Sequence, residues 1–157
     1  MAEAKEFKPL KEFGSIELAE SSRVRFYVDE YKGHPYASIR TFVDSDSYSG
    51  PTKSGVTLNP NLLTLVIAEL EKLPKEPQTT TDIELARFPK RTGLEIVLRI
   101  TIYRDTTGID MREWVDDGTY KGWSKRGIRI GYEELESIIR HLKEMLAFLR
   151  DRQKKKS

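Results

Sequence analysis

Cysteine is absent from the 157 residues, so disulfides and cysteine-based zinc sites are excluded, which fits a cytosolic or nuclear setting. Net charge is nearly absent too. The 27 lysines and arginines against 25 aspartates and glutamates leave +2, which argues against a polybasic condensing protein. No apolar run approaches the length of a bilayer span, so a soluble chain with no membrane partner is expected. The opening MAEAKEFKPLKEFG lacks the apolar middle of a secretory signal. There are two histidines: His34 falls in the turn-like KGHPY and His141 in a helical run beside Arg140. Both are expected at the surface, and neither has partners spaced for a metal site or a nucleophile triad. Phosphate-cradling and dinucleotide-binding loops are missing as well. The acid pairs Asp44/Asp46 and Asp116/Asp117 read as turn formers. The expectation is a protein without catalysis, metal or cofactor.

What is present is a chain with 38% hydrophobic and 33% charged residues, enough for one domain or two small ones sharing a core. It also repeats itself. At a spacing of 72, Tyr31 matches Tyr103, Arg40 matches Arg112, Val43-Asp44 matches Val115-Asp116, and Tyr48, Gly50, Lys53 and Gly55 match Tyr120, Gly122, Lys125 and Gly127. Leu63, Ile67 and Leu70 match Leu135, Ile139 and Leu142. The tetrapeptide IELA stands at 16–19 and again at 83–86, only 67 apart, which predicts a five-residue insertion near FPKRTG in the second copy. Two copies are too few for a solenoid, so a pseudo-symmetric pair is expected.

Each copy reads as four strands and a helix. Val24, Phe26 and Val28 alternate toward one face, continued by Ala37, Ile39 and Val43 and by Val56 and Leu58. Asn59 suits an N-cap and Pro60 the first helical turn, ahead of an apolar stripe at Leu62, Leu63, Val66, Leu70 and Leu73. A second helix, from about Glu133, repeats Leu135, Ile138, Leu142, Met145 and Leu149, a spacing that suits packing on another helix. The predicted class is α+β: two ββββα repeats forming an intramolecular pseudo-dimer, with curved antiparallel sheets and helices packed together. The predicted boundaries are residues 1–74 for the first repeat with an N-terminal extension, 75–81 (KEPQTTT) for a linker, 82–150 for the second repeat and 151–157 for a basic tail. The tail RDRQKKKS reads as a solvated, disordered end or as a loose phosphate contact.

Side chains alternate across a strand, so the positions between core residues face the other way. In the first copy these include Arg25, Tyr27, Tyr31, Tyr36, Arg40, Phe42 and Lys53; in the second, Arg99, Tyr103, Arg112, Trp114, Trp123, Lys125 and Arg129. Rings interleaved with guanidinium groups suit single-stranded nucleic acid, because rings stack on unpaired bases while Arg and Lys hold phosphates. A protein interface favours the same residue types, so that alternative stays open.

The stretches VDEYKGHPYASIRTFV and TKSGVTLNP, with GIDMREWVDDG and WSKRGIRI in the second copy, resemble the positive cofactor four family of transcriptional coactivators. The resemblance implies a curved four-stranded sheet and helix per unit, pairing through the helices, and binding of single-stranded or melted DNA with little sequence preference. It implies stacking roles for Tyr31 and Tyr103, phosphate contacts for Lys32 and Arg104, the third-strand arginine for Arg40 and Arg112, and that strand's terminal aromatic for Phe42 and Trp114. Lys53, Lys125 and Arg126 would supply the basic lead-in to the fourth strand. The sequence departs from the family at Asp29 and Thr101, where a basic residue is expected, and at Gly131-Tyr132, which replaces Asn-Pro. These departures imply an unequal grip, with the second copy the stronger. RNA in place of DNA, as in the purine-rich-element-binding proteins, a protein-interaction module docking to transcription machinery, and further self-association of the fused pair are the remaining readings. The expected location is cytoplasmic and nucleoid-associated in a prokaryote, nuclear in a eukaryote.

Overall fold

The computed structural model describes residues 7–19 and 21–156; the first six residues of the predicted first repeat and the last of the tail lie outside that range. Four strands, β1 (Lys11–Ala19), β2 (Ser22–Tyr31), β3 (His34–Asp44) and β4 (Ser49–Leu58), form one antiparallel sheet in sequence order. Helix α1 (Pro60–Glu71) follows. The second sheet has the same order: β5 (Ile83–Arg91), β6 (Leu94–Tyr103), β7 (Thr106–Asp116) and β8 (Lys121–Gly131). A single 3-10 turn (Tyr132–Glu134) then leads into α2 (Leu135–Lys156). The fold is therefore α+β, two ββββα units.

The alternation that marks the strands also makes the core. Val24, Phe26, Val28, Ala37, Ile39, Val56 and Leu58 are all buried, as are Ile96, Leu98, Ile100, Ile109, Met111, Ile128 and Ile130 in the second sheet. Asn59 accepts from the Leu62 N–H at 2.8 Å, fixing the start of α1, and Pro60 occupies the first turn, where its missing N–H costs nothing. Leu62, Leu63, Val66, Ile67 and Leu70 of α1 join Leu135, Ile138, Leu142, Met145 and Leu149 of α2 in one core cluster common to both repeats. The helices run antiparallel: Lys143 meets Glu71 at 2.7 Å, and Arg150 donates to Thr64 at 3.2 Å.

The second helix lies on the first sheet. His141 packs on Phe26 with ring centroids 4.8 Å apart, Phe148 meets Phe13 at 5.8 Å, and Arg152 reaches Glu30 at 3.4 Å. The Tyr132 hydroxyl donates to the Pro74 carbonyl, and Lys90 on β5 donates to Thr57 on β4 at 2.9 Å and pairs with Glu113 on β7 at 3.2 Å. Each half thus completes the other.

Three expectations need correction. There is no insertion: β1 and β5 share one register at the 72-residue spacing, with Glu12 opposite Tyr27 and Glu84 opposite Arg99, and with bulges at matching places. The two IELA runs are a coincidence. Ile16 is buried, its true counterpart is Phe88, and Ile83 is exposed at the start of β5. His141 is not a surface residue; it is buried against Phe26, and its ring fills the space that a Cβ at Gly14 would need. Burial, aided by Arg140, holds its pKa below the ordinary histidine value. Finally, residues 151–156 of the basic tail continue α2. Arg, Gln and Lys favour helix, and cations suit a helix C-terminus.

Candidate nucleic-acid interface

The predicted residues divide into separate groups, on the sheet faces opposite the helices and in the hairpin turns. The central group lies on the second sheet. Trp114 on β7 stands directly opposite Trp123 on β8, and their rings meet edge-to-face at 4.9 Å and 81°. Arg99 on β6 lies over Trp123 at 4.3 Å, and Arg87 on β5 lies over Trp114 at 5.4 Å. Trp123 keeps 36% of its surface exposed and Trp114 is half-buried.

Asp110 holds this group together. It is buried on β7, pairs with Arg99 at 2.9 Å and with Arg112 at 3.4 Å, and so fixes two guanidinium groups beside the indoles. Arg112 also lies across β8 where Gly127 leaves room: a Cβ there would stand 2.6 Å from the guanidinium. Arg129 is drawn elsewhere, donating to Thr101 at 2.8 Å and to the Thr106 carbonyl at 2.9 Å.

The hairpin tips form another group. Tyr103 is 60% exposed at the end of β6 with Arg104 over its ring at 5.2 Å; Tyr31 is 66% exposed at the end of β2 with Lys32 at 5.4 Å. Both cations sit in turns at positive φ, 47° for Arg104 and 51° for Lys32. Tyr103 pairs with Thr106 while Trp114 pairs with Glu95, so these aromatic platforms lie at opposite ends of β6. At ~3.3 Å per residue the separation is about 26 Å.

Lys53, Lys125 and Arg126 are exposed and share the rim of a cleft of about 450 Å³ with Arg91. It is bordered by residues of both repeats. Asp117 also lines this cleft, and as expected of a turn former it accepts from the N–H groups of Thr119 and Tyr120 at 3.0 and 2.9 Å.

The first sheet departs from the expected open face. Phe42 is only 6% exposed and Tyr27 is buried with it, because Phe7 lies over both. Arg25 is held by Glu12, with Nε to Oε1 at 2.9 Å, and Arg40 donates to the Thr52 carbonyl at 2.9 Å. Arg87, Arg91, Asp110 and Phe7 were not among the predicted residues. An alignment of β5 at the 72-residue spacing would have placed Arg87 opposite Val97 on the same face; nothing in the sequence signals Phe7.

Among the described residues no group of His, Asp and Glu could hold a metal ion, and no helix is long and apolar enough to cross a membrane.

Residues 18–68 match the family model for Transcriptional Coactivator p15 (PC4). The first repeat is a PC4 match. The match spans β2 to most of α1, so the resemblance read in VDEYKGHPYASIRTFV and TKSGVTLNP holds there. The second ββββα unit follows the same register at the 72-residue spacing. The crystal structure of WHY3 from Arabidopsis thaliana is similar over 92% of this chain and 90% of its own, at 9% identity and a TM-score of 0.45. That of WHY1 from the same plant is similar over 90% and 88%, at 11% identity and a TM-score of 0.43. No curated protein matches the chain in sequence.

Proposed function

We propose that the chain binds single-stranded or melted DNA with little sequence preference and acts in transcription as a coactivator or regulator. The observation that carries this reading is the Trp114–Trp123 pair, partly open on a sheet face and flanked by Arg87, Arg99 and Arg112. Every base has a π-face, so indole stacking selects unpaired strands without selecting sequence. Tyr103 with Arg104, and Tyr31 with Lys32, are further stacking points at the hairpin tips. Lys53, Lys125 and Arg126, joined by Arg91, are the phosphate contacts. The PC4 match of the first repeat supports the assignment to transcription. The fused second unit supplies the other half of the pair, and no step of the reading requires catalysis.

The test is a titration with oligo-dT at low salt, followed by tryptophan fluorescence. Quenching is expected, with weaker binding to a duplex of equal length. Log affinity should fall against log salt with a slope near −0.7 per phosphate contact, the value for single strands. Absent quenching, or equal affinity for duplex and single strand, would overturn the reading. Tighter binding of a matched RNA would move it from DNA to RNA.

A further inference from the structure

On that reading of the sheet faces, we propose that the first repeat holds a latent nucleobase site, which Phe7 of the same chain fills. Tyr27 and Phe42 stand on the face opposite the helices, where a sheet ordinarily meets solvent, yet each is only 6% exposed. Among the described residues, one ring lies over both. Phe7 meets Tyr27 at 4.8 Å and 86°, and Phe42 at 4.8 Å and 68°. The Arg25 guanidinium lies 4.3 Å from the centre of the Phe7 ring and 4.6 Å from that of Phe42, and Glu12 fixes its position.

These are contacts an unpaired base would make: a guanidinium over its π-face and aromatic neighbours at its margin. The second repeat provides the comparison. Phe42 corresponds to Trp114 and Tyr27 to Arg99, one indole and one guanidinium of the partly open group. Phe7 therefore occupies in the first repeat the kind of place that the second leaves to a ligand.

The surroundings allow exchange. Phe7 precedes β1 in a segment without regular structure, and the Leu10 N–H donates to the Val28 carbonyl at 2.9 Å just beyond it. Beside the ring opens a cleft of about 660 Å³ bordered by Arg23, Arg25, Phe42, Tyr48 and Pro51. A planar base has room to approach there before the phenyl ring leaves. Arg23 and Arg25 are the cations at its border, where Glu17 and Asp44 also stand. The covered face is then a second binding surface, engaged when a strand displaces residues 7–10.

The test uses the full chain carrying Phe7→Ala, titrated with oligo-dT beside the unaltered protein. Affinity should rise about three- to tenfold and the length of strand covered per protein should increase. Adding Phe42→Ala to Phe7→Ala should abolish the gain. A folded Phe7→Ala chain that binds as the native protein does, or more weakly, overturns the latent site, since a ring that forms part of a working site would lose affinity when removed. Should that variant fail to fold, hydrogen exchange at the Leu10 amide of the native protein decides. Exchange that accelerates at saturating oligo-dT supports displacement, and unchanged exchange overturns it. A native protein that binds no oligo-dT at all defeats the functional reading itself. Native binding with an unaltered Phe7→Ala response defeats only the latent site.

Discussion

Phe42 and Trp114 stand 72 residues apart at one place in two sheets that share strand order, register and bulges. One is sealed beneath Phe7; the other stands half-buried beside Trp123. Below them the contrast continues. The second repeat has Asp110 between two arginines, whereas its counterpart Ser38 has a buried hydroxyl without a hydrogen-bond partner among the described residues. Duplication has kept the backbone, which the inward residues dictate, and let the outward side chains diverge. One face has become partly open and charged. The other has become covered at Tyr27 and Phe42.

The largest expected effect tests the open face. Replacing both Trp114 and Trp123 by alanine removes two stacking platforms worth ~1–3 kcal/mol each, so oligo-dT affinity should fall by at least about 30-fold. Anisotropy of a labelled strand would measure it, since the variant has no tryptophan. A smaller loss would move the binding surface away from the indoles and dissolve the contrast.

Stability should show the opposite order. Phe42→Ala empties a buried site between Phe7, Tyr27 and Arg25 and should cost about 3 kcal/mol in urea unfolding. Trp123→Ala, at a partly open site, should cost less than about 1 kcal/mol. Equal costs would mean that the two faces are packed alike.

Asp110→Asn keeps the shape but removes the charge that Arg99 and Arg112 share. Losing one member of a buried pair costs ~3–5 kcal/mol, and because both arginines are about a quarter exposed the expected loss is nearer 2 kcal/mol. The freed guanidinium groups should bind phosphate more strongly, so the salt slope steepens while the folded state weakens. A variant that lost both stability and salt dependence would show that Asp110 positions the arginines for binding, and that their charge was available already.

The sequence carried the framework for a physical reason. Strand alternation and the Asn59-Pro60 start depend on neighbours within a few residues, and both appear where expected. Long-range placement was less legible. The IELA coincidence hid the register of β5 and with it Arg87, because four identical letters say nothing about which side of a bulge they occupy. His141 looked solvent-exposed because its burial depends on Gly14, on a strand well over a hundred residues away. Rings on the outward face were read as exposed, which holds for Tyr31, Tyr103 and in part Trp123; Phe42 failed because its cover comes from a segment outside the repeat.

The smallest expected effect lies on the inner face, where the halves differ again. His141 presses on Phe26 and Gly14 of the first sheet, with Arg140 and Glu144 as its charged neighbours on α2; the residue 72 positions earlier on α1 is Glu69, which is held by Lys72. Burial disfavours the imidazolium, so the folded state has the lower histidine pKa and the unfolded chain binds the proton more readily. The contribution to stability is therefore complete above about pH 6.5, the unfolded value, and is lost as pH falls through the lower folded value. Unfolding midpoints measured from pH 8 to pH 5 should decline on the acid side, and His141→Gln, which cannot charge, should flatten that decline. An unchanged slope in the variant would show that the acid sensitivity does not arise at His141 in the helix seam.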